Sequence, residues 1–336
     1  MTITACSRCG VRESPGRREF AALLIGAMVG AGAATAQQAV KVLCVGVLAP
    51  GPLRPIASFK QRLRELGWIE GSNICFEDRW AEGDDTRYGP LAAELAALPV
   101  EVILTWSTPA VLAAKQATAT IPIVMAAVAD PVAIGAVSGF AHPGGNITGF
   151  STQNFELEEK RFELLRELVP GLGRMVMLGN AANPYSALAM KRVKGLAETA
   201  GLNFEGVDID SAGGLEGGLD KVRRARPNGV LVAAVPALFP YRKPIVQFMA
   251  ANRLPAVYPF REFAEAGGLV VYATNFDDLF RQAADYVDRV LKGAQPGELP
   301  VQQAATFELL VNLKTATALG LAIPPLILAR ADEVME

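Results

Sequence analysis

Residues 174–184, RMVMLGNAANP, repeat a plan already used at residues 41–50, KVLCVGVLAP. In each, an apolar run of strand length breaks at a loop that carries proline. Apolar residues at helical spacing follow, and a glycine stops them: IASFKQRLRELG ends on Gly67, and SALAMKRVKGLAETAG ends on Gly201. The repetition extends outward from both. The first series continues with the strand NICFEDRW, the helix TRYGPLAAELAAL, the strand VEVILTW, the helix PAVLAAKQAT and the strand IPIVMAAV. The second has NFEGVDID, a helix around LEGGLDKVRRA, NGVLVAAV, YRKPIVQFMAANR and LPAVYPF, and so matches the first element for element. Parallel strands need crossover connections, and alternating strands and helices supply them. The expected fold is therefore α/β, with two Rossmann-like, doubly wound parallel-sheet lobes.

Three further segments follow the second series: the strand GGLVVYATN, the amphipathic helix DDLFRQAADYVDRVLKG, and a last strand and helix in FELLVNLKTATALG. Extra elements after two complete units imply that the chain returns to the first lobe and then to the second, which makes a multi-crossing hinge. This divides the chain into a first lobe of residues 40–149 and 274–299 and a second of 150–273 and 300–336. The hinge is expected at Gly149, Phe150, Ser151, Thr274 and Pro300. GAQPGELP, residues 293–300, is short and proline-rich, which suits a return crossing and not a loose linker.

The chain has 336 residues, 51% hydrophobic and 20% charged, with a formal net charge of −2. It has apolar surface enough for two cores, and no basic excess to neutralise phosphates, so nucleic acid is not an expected partner. Residues 1–36 differ from the rest. A basic start reaching Arg17 and Arg18 precedes the short apolar run FAALLIGAMVGAGAATA, which ends in Ala34-Thr35-Ala36, the small-x-small pattern of a signal peptidase site. The run is shorter than the roughly 20 residues of a membrane span. An export signal cleaved before Gln37 is expected, by the general or the twin-arginine route. Cys6 and Cys9 fall in the discarded segment. Cys44 and Cys75 lie early in two strands expected to be neighbours, as buried thiols or as a disulfide, which export permits.

Ligands of open parallel sheets bind beyond the carboxyl ends of the strands, at the point where strand order reverses. This rule selects loops 48–58, 106–108 and 128–130 in the first lobe and 180–185, 236–241 and 258–262 in the second. Ser107-Thr108-Pro109 opens a helix, so its hydroxyls and free N–H groups suit a carboxylate or serve as an ordinary cap. Asp130 is an acceptor for an ammonium or hydroxyl group, or a cap for a helix over 131–140. Trp106, Tyr258, Phe260 and Tyr272 offer faces for a planar ligand or pack between elements. Fingerprints of dinucleotide, phosphate-loop, serine-hydrolase and zinc-protease sites are absent, so no cofactor, metal or catalytic residue is expected. His142, the single histidine, reads as a loop residue.

Together these stretches resemble a known family, the exported solute-binding proteins of ABC transporters, in the group that includes the tryptophan/tyrosine-type binding proteins. The resemblance is carried by LRELGWIEGSNICFEDRWAEGD, STPAVLAAKQATATIPIV, DPVAIGAVSGFAHPGGNITGFS, KRFELLRELVPG, REFAEAGGLVVY and LPVQQAATFELLVNLKTATALGL, in that order along nearly the whole chain. It implies a monomeric receptor, located in the periplasm, of the type I periplasmic binding fold. Such a receptor closes on a small polar solute, an amino acid or related carboxylate, and delivers it to an inner-membrane permease. Residue by residue, it places Ser107, Thr108 and Asp130 in the cleft, with Asn183, Glu262 and Tyr272 as second-lobe or hinge contacts. Trp106 departs from the small residue more common there, and Ala273-Thr274-Asn275 replaces a Gly-Pro-type turn. Two alternatives are a sensor that presents its closed form to a membrane receptor, and an exported racemase or lyase working from the same cleft.

Overall fold

The computed structural model describes residues 41–209 and 212–336, so the signal segment expected over 1–36 lies outside the described residues. The first lobe begins with β1 (Leu43–Ala49), α1 (Pro55–Glu65), β2 (Ile74–Trp80), α2 (Tyr88–Ala97), β3 (Val102–Trp106), α3 (Thr108–Ala117), β4 (Ile123–Val128) and β5 (Ile147–Ser151). The second follows with α4 (Asn154–Leu168), β6 (Arg174–Gly179), α5 (Pro184–Thr199), β7 (Asn203–Asp208), α6 (Ala212–Ala225), β8 (Gly229–Val232), α7 (Arg242–Ala251), β9 (Ala256–Tyr258), α8 (Arg261–Glu265) and β10 (Val270–Thr274). The chain then returns through α9 (Phe276–Leu291), β11 (Gln302–Gln303), β12 (Phe307–Asn312), α10 (Leu313–Leu319), α11 (Pro325–Arg330) and β13 (Glu333–Met335).

Among the described residues the strands form two sheets, ordered β11-β5-β4-β3-β1-β2 and β13-β12-β10-β9-β8-β6-β7. Five strands of each sheet follow one winding, 2-1-3-4-5 in the first and 7-6-8-9-10 in the second. The sequence repeat is therefore a repeat of topology. Central strands are buried from end to end, as in β3 and β4, because helices cover both faces of a parallel sheet. The first lobe takes much of one cover from the returning α9. Its Phe280, Ala283 and Val287 pack with Val45, Phe59 and Leu104 in one core.

Strand β12 runs antiparallel to β10, unlike the neighbours that precede it. Its direction follows from the crossing: β10 leaves the second sheet at Thr274, the chain re-enters at Phe307, and these two residues are register partners. A strand that enters from the end where its neighbour left must run the other way. Strand β11 pairs with β5 of the first sheet, so Gln302 and Gln303 belong to that sheet although they lie beyond residue 299.

The chain crosses between the two sheets in three short passages, at residues 152–153, 275 and 304–306, hydrogen-bonded to one another. Thr274 Oγ1 donates to Thr152 O at 3.0 Å, Gln153 Nε2 to Ala304 O at 2.6 Å, and the Asn275 amide to Thr306 O at 2.9 Å. Gln153 holds a left-handed φ of 55° at the start of α4. Gly149, Phe150 and Ser151 lie just before the first passage, inside β5. Gly149 is a packing position: at φ 133° its backbone lies against that of Met125, and a Cβ would collide with the Met125 carbonyl. Pro300 accepts a hydrogen bond from Tyr286 on α9 at 2.6 Å.

Cys44 and Cys75 are direct register partners on β1 and β2 and form a disulfide, with Cα atoms 4.5 Å apart. Asp130 does not start a helix. Its Oδ1 accepts from the amides of Val132 and Ala133, both at 3.0 Å, and residues 131–140 form turns around Gly135 at φ 70°.

Candidate ligand-binding site

The strand order reverses beside β1 and β3 in the first sheet and beside β6 and β8 in the second, and the loops that leave these strands face a common cavity of about 350 Å³. That volume is at the small end of the range for ligand sites. The wall is largely apolar. The β1 loop supplies Pro50, Pro52 and Leu53, the β8 loop supplies Pro236, Phe239 and Pro240, and Phe260 and Phe276 close two further sides. Each of the six loops chosen from strand ends contributes a lining residue, with Ala129 standing for the loop after β4.

Trp106, Ser107, Thr108, Asn183 and Glu262 are brought together in this wall. Asp130, Tyr258 and Tyr272 are not among its residues. Asp130 is committed to its own turn. Tyr258 is core: it is 1% exposed and stacks on Phe263 at 5.1 Å, and burial pushes its phenol well above the usual range. Tyr272 lies against Phe307, and its carbonyl accepts from Arg161 at 2.7 Å. Trp106 is held from behind by Phe280 and Trp80, with ring centroids 5.2 and 5.8 Å away, so its indole is a fixed part of the wall. Leu53, Phe239, Arg242 and Phe276 line the cavity without having been singled out. Leu53 and Phe239 lie within two of the loops chosen from strand ends, in the proline-rich stretches APGPLRP and PALFP, but were not named individually.

The two helices that open on the cavity differ at their starts. In the second lobe Asn183 Oδ1 accepts from the amides of Tyr185 and Ser186 at 3.1 and 3.4 Å, so α5 satisfies its own first turn. In the first lobe, among the described residues, no side chain caps α3, although Ser107 and Thr108 both face the cavity. The first-turn N–H groups there carry partial positive charge and no acceptor, an arrangement suited to an anion. Ser107 is held at φ 80°, ψ 148°, a region that normally only glycine occupies, and its hydroxyl lies 3.5 Å from the buried Tyr88 hydroxyl. Strain of this kind costs about 1–3 kcal/mol and is concentrated at functional sites. Ser107→Gly is therefore expected to raise the melting temperature while weakening ligand binding; a variant that is more stable and binds as tightly would show that the strained serine serves packing alone.

On the opposite wall Glu262, in the first turn of α8, forms no ion pair among the described residues. Burial and then the nearby Glu265 push its carboxyl above the usual carboxylate range, against a backbone hydrogen bond and the weaker pull of Arg54 and Arg242. Arg242 is itself engaged, donating to the Phe239 carbonyl at 2.9 Å and lying 4.6 Å above that ring. Thus the cavity has an uncapped start of a helix on one lobe, on the other a carboxyl group without an ion pair among the described residues, and an apolar space between. Among the described residues, no group of His, Cys, Asp and Glu could hold a metal ion.

A two-lobed α/β chain with its cleft at the paired switch points has the type I periplasmic binding fold. The chain belongs to the ABC transporter substrate binding protein family, whose pattern it matches over residues 39–335. It is 27% identical over 266 residues, 78% of this chain and 75% of the other, to a tyrosine-binding protein of Clostridioides difficile. Among solved structures it is similar to an ABC domain from Streptococcus pneumonia in complex with L-Trp. That similarity has a TM-score of 0.81 at 25% identity, and covers 88% of this chain and 100% of the other. A conserved domain protein from Vibrio cholerae shares the fold with a TM-score of 0.82 at 24% identity, with the same coverage.

Proposed function

We propose that the protein is exported, binds an amino acid or closely related carboxylate between its lobes, and hands it to an ABC permease. The carrying observation is the pairing of an uncapped α3 start with the unpaired Glu262 across an apolar cavity of about 350 Å³. The solute's carboxylate lies against Ser107 and Thr108, its ammonium against Glu262, and its side chain among Trp106, Leu53 and Phe239. Contacts from both lobes favour the closed form, because a ligand shifts a two-state equilibrium only by its differential affinity for the two states. The tyrosine-binding relative and the L-Trp complex support an aromatic amino acid as the first solute to try. The basic start, the apolar run and Ala34-Thr35-Ala36 support export.

The test is to titrate the purified protein with L-tyrosine, L-tryptophan and their decarboxylated amines, following heat release, melting temperature and scattering radius. The amino acid is expected to bind, to raise the melting temperature and to shrink the radius. The amines should bind at least about tenfold more weakly, the loss expected for a charge-assisted contact at a helix start. Equal binding of acid and amine would overturn the anchor, and tight binding at constant radius would overturn the closing clamp.

A further inference from the structure

A second cavity of about 290 Å³ adjoins the first and shares Pro55, Glu262 and Phe276 with it. Its walls are polar where those of the first are apolar. Arg54 and Asp277 come from the first lobe, Arg261 and Glu308 from the second, and Asn275 from a passage between the sheets. Both guanidinium groups are matched within their own lobes. Arg54 pairs with Asp277 at 2.7 Å, and Arg261 pairs with Glu308 at 2.8 Å and also with Glu333. Two arginines face three carboxylates along this wall, so the cavity is net negative, and Glu262 at its junction with the main cleft is the carboxylate without an ion pair among the described residues. This excess of negative charge favours a cation entering between Glu262 and Glu308.

We propose that this polar cavity receives the amino terminus of a solute one residue longer than an amino acid, so that the cleft takes short peptides with a free carboxylate. The inference rests on the anchoring of the carboxylate at α3 proposed above. A dipeptide held by that anchor places its peptide N–H where the ammonium of a single amino acid would lie, beside Glu262. Its own ammonium then passes Phe276 into the space between Glu262 and Glu308. Asn275 suits the peptide carbonyl: its Oδ1 is committed to the Asp278 amide at 3.0 Å, and its Nδ2 has no partner among the described residues. The apolar walls of the first cavity keep the side chain adjacent to the carboxylate.

The experiment is calorimetric titration with L-tryptophan, glycyl-L-tryptophan and N-acetylglycyl-L-tryptophan, on the unaltered protein and on Glu308→Gln. Glycyl-L-tryptophan is expected to bind within about tenfold of L-tryptophan, and acetylation, which removes the ammonium, to weaken it by about tenfold or more. Glu308→Gln is expected to weaken glycyl-L-tryptophan by a similar factor and leave L-tryptophan unchanged, which also shows that the variant is folded. If L-tryptophan binds and the dipeptide does not, or if Glu308→Gln weakens both alike, the second cavity is no subsite and the amino-acid reading stands without it. If none of the three carboxylates binds, the anchor at α3 is wrong, and the extension falls with it.

Discussion

Arg161→Met is expected to cost about 3–5 kcal/mol of stability, the penalty for leaving one member of a buried ion pair alone. Arg161 and Glu158 sit one turn apart on α4 with no exposed side-chain surface, 3.0 Å from each other. Each is also tied to the second lobe. Arg161 Nε donates to the Tyr272 carbonyl at 2.7 Å, while Glu158 Oε1 accepts from the Tyr185 hydroxyl at 2.7 Å and the Ala234 amide at 3.1 Å. Burial, and then the neighbouring Glu158, hold the Tyr185 phenol well above its ordinary range, so it remains a donor. Urea denaturation should show a lower midpoint at unchanged slope, and Glu158→Gln should also be destabilising, because it keeps an acceptor but removes the charge that matches Arg161. A loss below about 1 kcal/mol in both variants would place the pair among the weakly contributing surface bridges. Tyr185 and Ala234 line the cavity, so affinity should fall together with stability.

Glu262→Gln is expected to weaken an amino-acid ligand by about 2–5 kcal/mol, thirtyfold or more, with little change in the melting temperature of the free protein. The pH dependence identifies the cause. In the free protein, burial holds the Glu262 carboxyl above its usual value, and an ammonium beside it would lower that value. A group whose pKa falls on binding contributes fully above its free-state value, and the contribution is lost as pH falls from there through the bound-state value. Affinity of the unaltered protein should thus decline on the acid side, while the glutamine variant stays flat through the same interval. Parallel pH profiles for the two proteins would remove Glu262 from the site.

The element order was legible because strand and helix periods differ, and the doubling of the order gave two lobes. Strand ends selected loops that all reach the cavity, although not every residue named in them lines it. Asp130 and the wall residue Ala129 are neighbours, but an aspartate before Pro131 can spend its carboxylate on its own turn, a local choice that spacing does not reveal. Tyr258 lies in the core and not in the cavity wall for a similar reason, since the last residue of a buried strand can turn to the core as readily as to the cleft. Arg161 was invisible: charged residues on an amphipathic helix read as the solvated face, and only the second sheet folded over α4 buries it. The antiparallel β12 was equally hidden, because its direction is set by where the chain returns and not by its composition.

The late arrival of α9 also bears on how the molecule is made. Five strands of the first sheet are complete at Ser151, but Phe280, Ala283 and Val287, which cover one face of that sheet, are separated from them in sequence by most of the second lobe. A nascent chain that has emerged as far as β10 therefore holds an apolar sheet still missing part of its cover. Neither sheet is built from one continuous segment, so synthesis of the first half leaves a debt of exposed surface that is settled only when α9 emerges.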